Sequence, residues 1–225
     1  MLNRDAINSG AYLESFDTLP KEILWSQERI DQSLTETMRL RPTDGDVWVF
    51  AYGSLMWNPI SVYDSRRIAT LHDWHRSFCL SVIAGRGTPE RPGRMLSLEP
   101  GGSTQGVALR LCNATLDEEL RILWTREMVT GAYRPTWAPV TLDDGTETSA
   151  IAFVADHEKS QYEADARPST IAPLMHVAAG LFGTNAEYVF MLQHALAECG
   201  LTDAYIDELA AELARLAVSA PFTGR

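Results

Sequence analysis

The strongest two-residue alternation in the chain runs over Val47–Tyr52. There Trp48, Phe50 and Tyr52 face one way and Val47, Val49 and Ala51 the other. Alternating β-formers after the Asp44-Gly45-Asp46 turn signal predict a strand. Gly53-Ser54 breaks it, and a glycine at positive φ would let successive N–H groups curl into one concavity, a nest for anions or carbonyl oxygens. Further along, Ile68–Ile83 is rich in strand formers. Met95–Glu99 and Gln105–Leu111 read as a hairpin about Pro100-Gly101-Gly102, and Thr136–Leu142 with Thr148–Ala155 as a second about Asp143–Thr146.

Helical spacing dominates the rest. Ile23, Ile30, Leu34 and Met38 recur in Lys21–Leu40, with Pro20 where a first turn tolerates it. Thr115 and Glu118 form a capping-box pattern ahead of Leu116, Leu120 and Leu123. Near the C-terminus, Asn185 caps a stripe of Val189, Leu192, Leu196 and Cys199 that stops at Gly200. Thr202 or Asp203 caps another, with Ile206, Leu209, Leu213 and Leu216. Strands in the middle and helices at the ends predict an α+β fold. The expected layout is an N-terminal helical extension over residues 1–43 and one domain over 44–225.

Glu127 falls on the α-helical stripe of Leu120 and Leu123. If the helix persists, a carboxylate points to the apolar side, where burial raises its pKa towards that of a base working near neutrality. If the helix ends before Glu127, which the nearby Gly131 allows, Glu127 is exposed or paired with Arg126 or Arg134. The stretch Arg86–Arg94 holds two glycines, two prolines and three arginines. It is either a solvated loop or a lid that meets a carboxylate.

Composition narrows the picture. The 225 residues are 45% hydrophobic and 22% charged, an ordinary globule able to bury a core. The net charge of −11 argues against a nucleic-acid surface. Three scattered cysteines suit a reducing compartment. With no signal-peptide pattern and no run of about 18 apolar residues, a cytoplasmic protein outside the membrane is expected. The oligomeric state is left open. His72 and His75 invite a metal, but residues three apart on a strand diverge and no further ligands join them. Ser54 lacks a nucleophile-elbow context, Cys112 reads as a small buried residue, and nucleotide-binding fingerprints are missing.

Five segments, VFAYGSLMWNP at Val49–Pro59, RGTPERPGR at Arg86–Arg94, GVALRL at Gly106–Leu111, REMVTGAY at Arg126–Tyr133 and GTNAEYV at Gly183–Val189, resemble in content and order the ChaC-like γ-glutamylcyclotransferases. The resemblance implies a small mixed β-barrel with helices around it. It also implies cleavage of γ-glutamyl peptides, glutathione above all, to 5-oxoproline and Cys-Gly, without metal or organic cofactor. By the same likeness Val49, Phe50, Ala51, Tyr52, Gly53, Ser54 and Leu55 hold substrate, and Glu127 is the catalytic acid/base. Tyr162 corresponds to a family tyrosine, although Ala164 stands where the family has glycine. Ala51 and Ala132 likewise replace glycines. Arg86 or Arg94 is expected to steer the glycyl carboxylate. Two other readings stand beside this one: the same reaction on another γ-glutamyl amine or dipeptide, and a non-catalytic regulatory binding protein.

Overall fold

Hydrogen-bond pairing closes five strands into a barrel in the computed structural model, which describes residues 3–17 and 19–219. The strands are β1 (Trp48–Ala51), β2 (Tyr63–Val82), β3 (Gly93–Leu111), β4 (Tyr133–Leu142) and β5 (Glu147–Ala155), in the order β1-β3-β2-β4-β5. The sheet is mixed: β1 runs antiparallel to β3 and parallel to β5. The helices are α1 (Arg4–Asn8), α2 (Ala11–Glu14), α3 (Gln27–Arg39), α4 (Leu116–Glu127), α5 (Pro168–Val177), α6 (Asn185–Glu198) and α7 (Ala204–Ser219). This is the expected α+β barrel fold.

The chain divides into two compact units. The first holds the residues up to Arg76 together with Ser97–Ser160, and the second holds Ser77–Leu96 with the residues from Gln161 onward. In the first, all four β1 residues are buried, and Phe50, Leu71, Leu98, Leu111, Leu123, Trp124 and Phe153 fill the core. The Trp124 and Phe153 rings meet edge to face at 5.2 Å. β1 lies close against β3 because Gly106 has no side chain: a Cβ there would stand 2.5 Å from the Ala51 carbonyl. The β4–β5 hairpin forms as expected, Gly145 taking φ +84° and Leu142 donating to the Thr146 carbonyl at 2.9 Å.

Several expected elements differ. There is no hairpin at Pro100–Gly102. β3 continues unbroken through a kink there, with Gly101 and Gly102 at φ +103° and +73°. His75 Nδ1 lies 3.1 Å from the Gly101 carbonyl and Thr104 Oγ1 donates to the Trp74 carbonyl at 2.8 Å, so β2 holds the kinked segment. Pro20 does not open α3. Trp25 N–H is taken by the Val129 carbonyl at 2.8 Å, and Ser26 caps the helix by accepting from Arg29 N–H. Thr115 makes no cap bond to α4, because a 3-10 turn at Asn113–Thr115 leaves it at ψ 19° rather than extended.

The second unit has its own core of Phe78, Leu80, Leu96, Ile171, Met175, Val189, Leu192, Ile206 and Leu209. A short hairpin of β6 (Ala179–Gly180) and β7 (Gly183–Thr184) leads into α6. The capping box is Thr184 with Glu187, one residue before the expected cap. Asn185 is instead buried, its Oδ1 accepting from Arg94 N–H at 2.6 Å and its Nδ2 donating to the Arg94 carbonyl at 2.8 Å. Asp203 starts α7, accepting from the N–H groups of Tyr205 and Ile206. Helix α5, with Pro168 in its first turn and Pro173 inside, was not expected from the pattern.

Candidate active site

Glu127 is the last residue of α4. The helix reaches it because Leu120, Leu123 and Trp124 bury one face, and it stops there because Gly131 turns the chain at φ +58°. The Glu127 side chain is 15% exposed. Arg126 Nε lies 2.9 Å from its Oε1. Burial pushes the Glu127 carboxyl above its ordinary value, and the charge and hydrogen bond of Arg126 offset only part of that rise. Glu127 is therefore both on the apolar side and paired with its neighbour.

Arg126 ties this carboxylate to the end of β1. Its guanidinium donates through Nη2 to Ser54 Oγ at 2.8 Å and through Nη1 to the Asn58 carbonyl. The fork shape of guanidinium suits three such acceptors at once. Beyond β1 the backbone curls as a 3-10 turn over Ser54–Met56, with Met56 N–H on the Gly53 carbonyl at 2.9 Å. Gly53 has φ −133°, so the curl comes from this turn and not from the left-handed glycine expected from the sequence. The first N–H groups of such a turn have no acceptor within it, which is what an anion needs. Tyr52 is fixed by its hydroxyl on the Phe153 carbonyl at 2.5 Å, and its own carbonyl accepts from buried Arg76 at 2.8 Å. The first unit thus gathers Glu127, Arg126, Ser54 and the Tyr52–Leu55 turn on one connected set of bonds. Arg126 carried no assigned role in the sequence beyond being a pairing option, and only its place beside Glu127 in REMVTGAY pointed to it.

Arg86, Arg94 and Tyr162 belong to the second unit. Arg86 donates to the Thr184 carbonyl at 2.7 Å, lies 3.5 Å from Glu187, and stands over the Tyr188 ring at 5.6 Å. Burial lowers its guanidinium pKa. Arg94 is a strand residue of β3 rather than part of a loop. Its Nη2 is 3.6 Å from Glu163, and its buried Nη1 has no hydrogen-bond partner. Tyr162 forms a backbone bridge with Leu80.

His72 and His75 bond to Thr141 and Gly101 respectively. Among the described residues no group of three or more His, Cys, Asp or Glu is placed to hold a metal ion. Among them also, no helix is long and apolar enough to cross a membrane.

The family described as ChaC-like protein matches residues 47–216. Over 216 residues the chain is 45% identical to the glutathione-specific gamma-glutamylcyclotransferase of Escherichia coli (strain K12), spanning 96% of this chain and 94% of that protein. It is 31% identical over 177 residues to the glutathione-specific gamma-glutamylcyclotransferase 1 of Homo sapiens, spanning 75% of this chain and 79% of the human one. The crystal structure of a gamma-glutamyl cyclotransferase specific to glutathione from yeast shares the fold, with a TM-score of 0.69 at 22% identity over 76% of this chain and 97% of that one. A match over this much of the sequence, joined to a barrel whose first strand is tied through Arg126 to a partly buried glutamate, places the chain in the ChaC-like family.

Proposed function

We infer that the chain is a γ-glutamylcyclotransferase that cleaves glutathione to 5-oxoproline and Cys-Gly. In this reaction the substrate's α-amine attacks its own γ-carbonyl. A C–N bond closes the five-membered ring, the amide C–N bond to cysteine breaks, and one proton passes from the attacking nitrogen to the leaving one. Nucleophile and electrophile share a molecule, so the protein's task is to fold the glutamyl chain for ring closure and to move that proton. The reaction as written draws on neither water nor cofactor.

The observation that carries the reading is Glu127: a carboxylate held under-solvated beside a single charged donor, with its pKa raised. With the attacking amine in its neutral form, it takes the one proton that nitrogen sheds on ring closure and returns it to the departing amine. The N–H groups of the Tyr52–Leu55 turn hold the α-carboxylate or the developing oxyanion, and the buried Val49–Ala51 strand fixes where that turn stands. Arg86, Arg94 and Tyr162 are proposed as further substrate contacts from the sequence likeness. Of the two arginines, Arg94 has the spare bonding capacity, so Arg94→Ala is expected to raise KM for glutathione more than Arg86→Ala. An acidic, cytoplasmic enzyme that binds a small peptide and no nucleic acid fits the composition.

The test is detection of 5-oxoproline by mass spectrometry after incubation with glutathione, wild type beside Glu127→Gln. Product from the wild type alone supports both reaction and residue. Equal product from both moves the base elsewhere, and none from either turns the search to γ-Glu-Ala and other γ-glutamyl amines.

A further inference from the structure

Helix α2 lies outside the residues 47–216 that match the family, yet it reaches the base. Tyr12 is 8% exposed, and its hydroxyl donates to the Arg126 carbonyl at 3.1 Å. That carbonyl belongs to the peptide joining Arg126 to Glu127. The Tyr12 hydroxyl is held well above its ordinary pKa, first by burial and then by the nearby Glu127 charge, against the pull of Arg126.

The surrounding segment is stitched to α4 along its length. Arg4 bonds Glu118 at 2.6 Å and Glu119 at 2.7 Å near the start of the helix. Trp124 Nε1 donates to Ser33 Oγ at 3.4 Å. Past the helix end, Trp25 N–H bonds the Val129 carbonyl, and the Trp25 ring fills the place of a Gly131 side chain, within 2.0 Å of where a Cβ would stand.

We propose that Tyr12 is a positioning residue for the cyclotransfer: its hydroxyl fixes the Arg126–Glu127 peptide and its ring keeps water from the Glu127 carboxyl. Arg126, on the same helix, and Tyr12, on α2, both interact electrostatically with Glu127. The N-terminal segment is then part of the active site rather than an appendage to it. The inference rests on the cyclotransferase reading given above.

The test compares kcat/KM against pH, by 5-oxoproline formation, for full-length wild type, Tyr12→Leu and Tyr12→Phe. Leucine leaves room for water at the carboxyl. Hydration removes part of the burial penalty, so the acid limb of Tyr12→Leu moves to lower pH by about half a unit or more, and the plateau falls by about tenfold. Phenylalanine keeps the ring, so its limb overlays the wild type while kcat drops about two- to fivefold with KM unchanged. If Tyr12 merely fills space, both variants lose folded fraction and Tm with limbs that overlay the wild type, and the proposal is overturned. Tyr12→Met takes the place of Tyr12→Leu, under the same criterion, should the leucine variant not fold. A wild type that forms no 5-oxoproline from glutathione, γ-Glu-Ala or other γ-glutamyl amines overturns the cyclotransferase reading itself, which an unmoved limb in an active enzyme does not.

Discussion

Helix α4 carries a low-exposure carboxylate at each end, and the two are treated in opposite ways. Glu119, near the start, is fully buried. Burial alone would raise its pKa, but Arg4 bonds both of its oxygens, at 2.7 and 2.9 Å, and Val62 N–H adds another bond at 2.8 Å. The result is a carboxyl held below its ordinary value. Glu127, at the other end, has Arg126 on one oxygen, and burial wins. Moreover, Arg126 divides its donors among Glu127, Ser54 and Asn58. A carboxylate saturated with donors is an anchor. One left short of them still has affinity for a proton, which is what acid/base chemistry uses.

The largest expected effect breaks the contrast at its chemical end. Glu127→Gln keeps the shape and removes the proposed base, and 5-oxoproline formation should fall by about 10²–10⁴-fold, measured by initial rates. Arg126→Met comes next. Loss of the neighbouring charge lets burial raise the Glu127 pKa further, so the acid limb of kcat/KM moves to higher pH, with a loss of about 10–100-fold from disturbed placement. Arg126→Lys restores charge without the fork and should bring the limb back part of the way. Glu119→Gln sharpens the contrast from the other end. It should cost about 1–2 kcal/mol in denaturant unfolding, a figure kept low because Arg4 is 28% exposed. The activity per folded molecule and the acid limb should stay at wild-type values.

Both ends of α4 were unequally legible in the sequence. Glu127 was visible because four- and seven-residue spacing from Leu123 and Leu120 is local information. Glu119 was not, since its partners Arg4 and Val62 lie 115 and 57 residues away. Tyr12 was hidden for the same reason, its bond to Arg126 spanning 114 residues. The β4–β5 hairpin was readable because Asp143–Thr146 carries its own turn chemistry. Pro100-Gly101-Gly102 carries similar chemistry and misled, because pairing with the 20-residue β2 keeps β3 extended through a kink. Two prolines five apart masked α5, where Pro168 sits in the tolerated first turn and packing against α6 and α7 outweighs Pro173. Family likeness placed the β1 end and Glu127 together. The bonds of Arg126 that join them reach across 68 and 72 residues, beyond any local spacing.

The smallest effect is the most discriminating, because the two carboxylates predict stability changes of opposite sign. Glu119 has a folded-state pKa below its ordinary value of 4.5. Its stabilisation is present above about that pH and is lost as pH falls through the lowered folded value. Glu127 has a folded-state pKa above 4.5. Relative to an uncharged side chain it is neutral to the fold below the unfolded value and becomes unfavourable as pH rises through the raised one. In acid, then, Glu119→Gln and Glu127→Gln should both melt with the wild type. As pH rises from the lowered Glu119 value to about 4.5, Tm of Glu119→Gln should fall below the wild-type curve and stay there, while Tm of Glu127→Gln rises above it only as pH climbs beyond about 4.5. If Glu127→Gln also fell below, the Arg126 pair would be a net anchor like Arg4 with Glu119, and the assignment of Glu127 as the under-supplied, chemically active carboxylate would lose its physical basis.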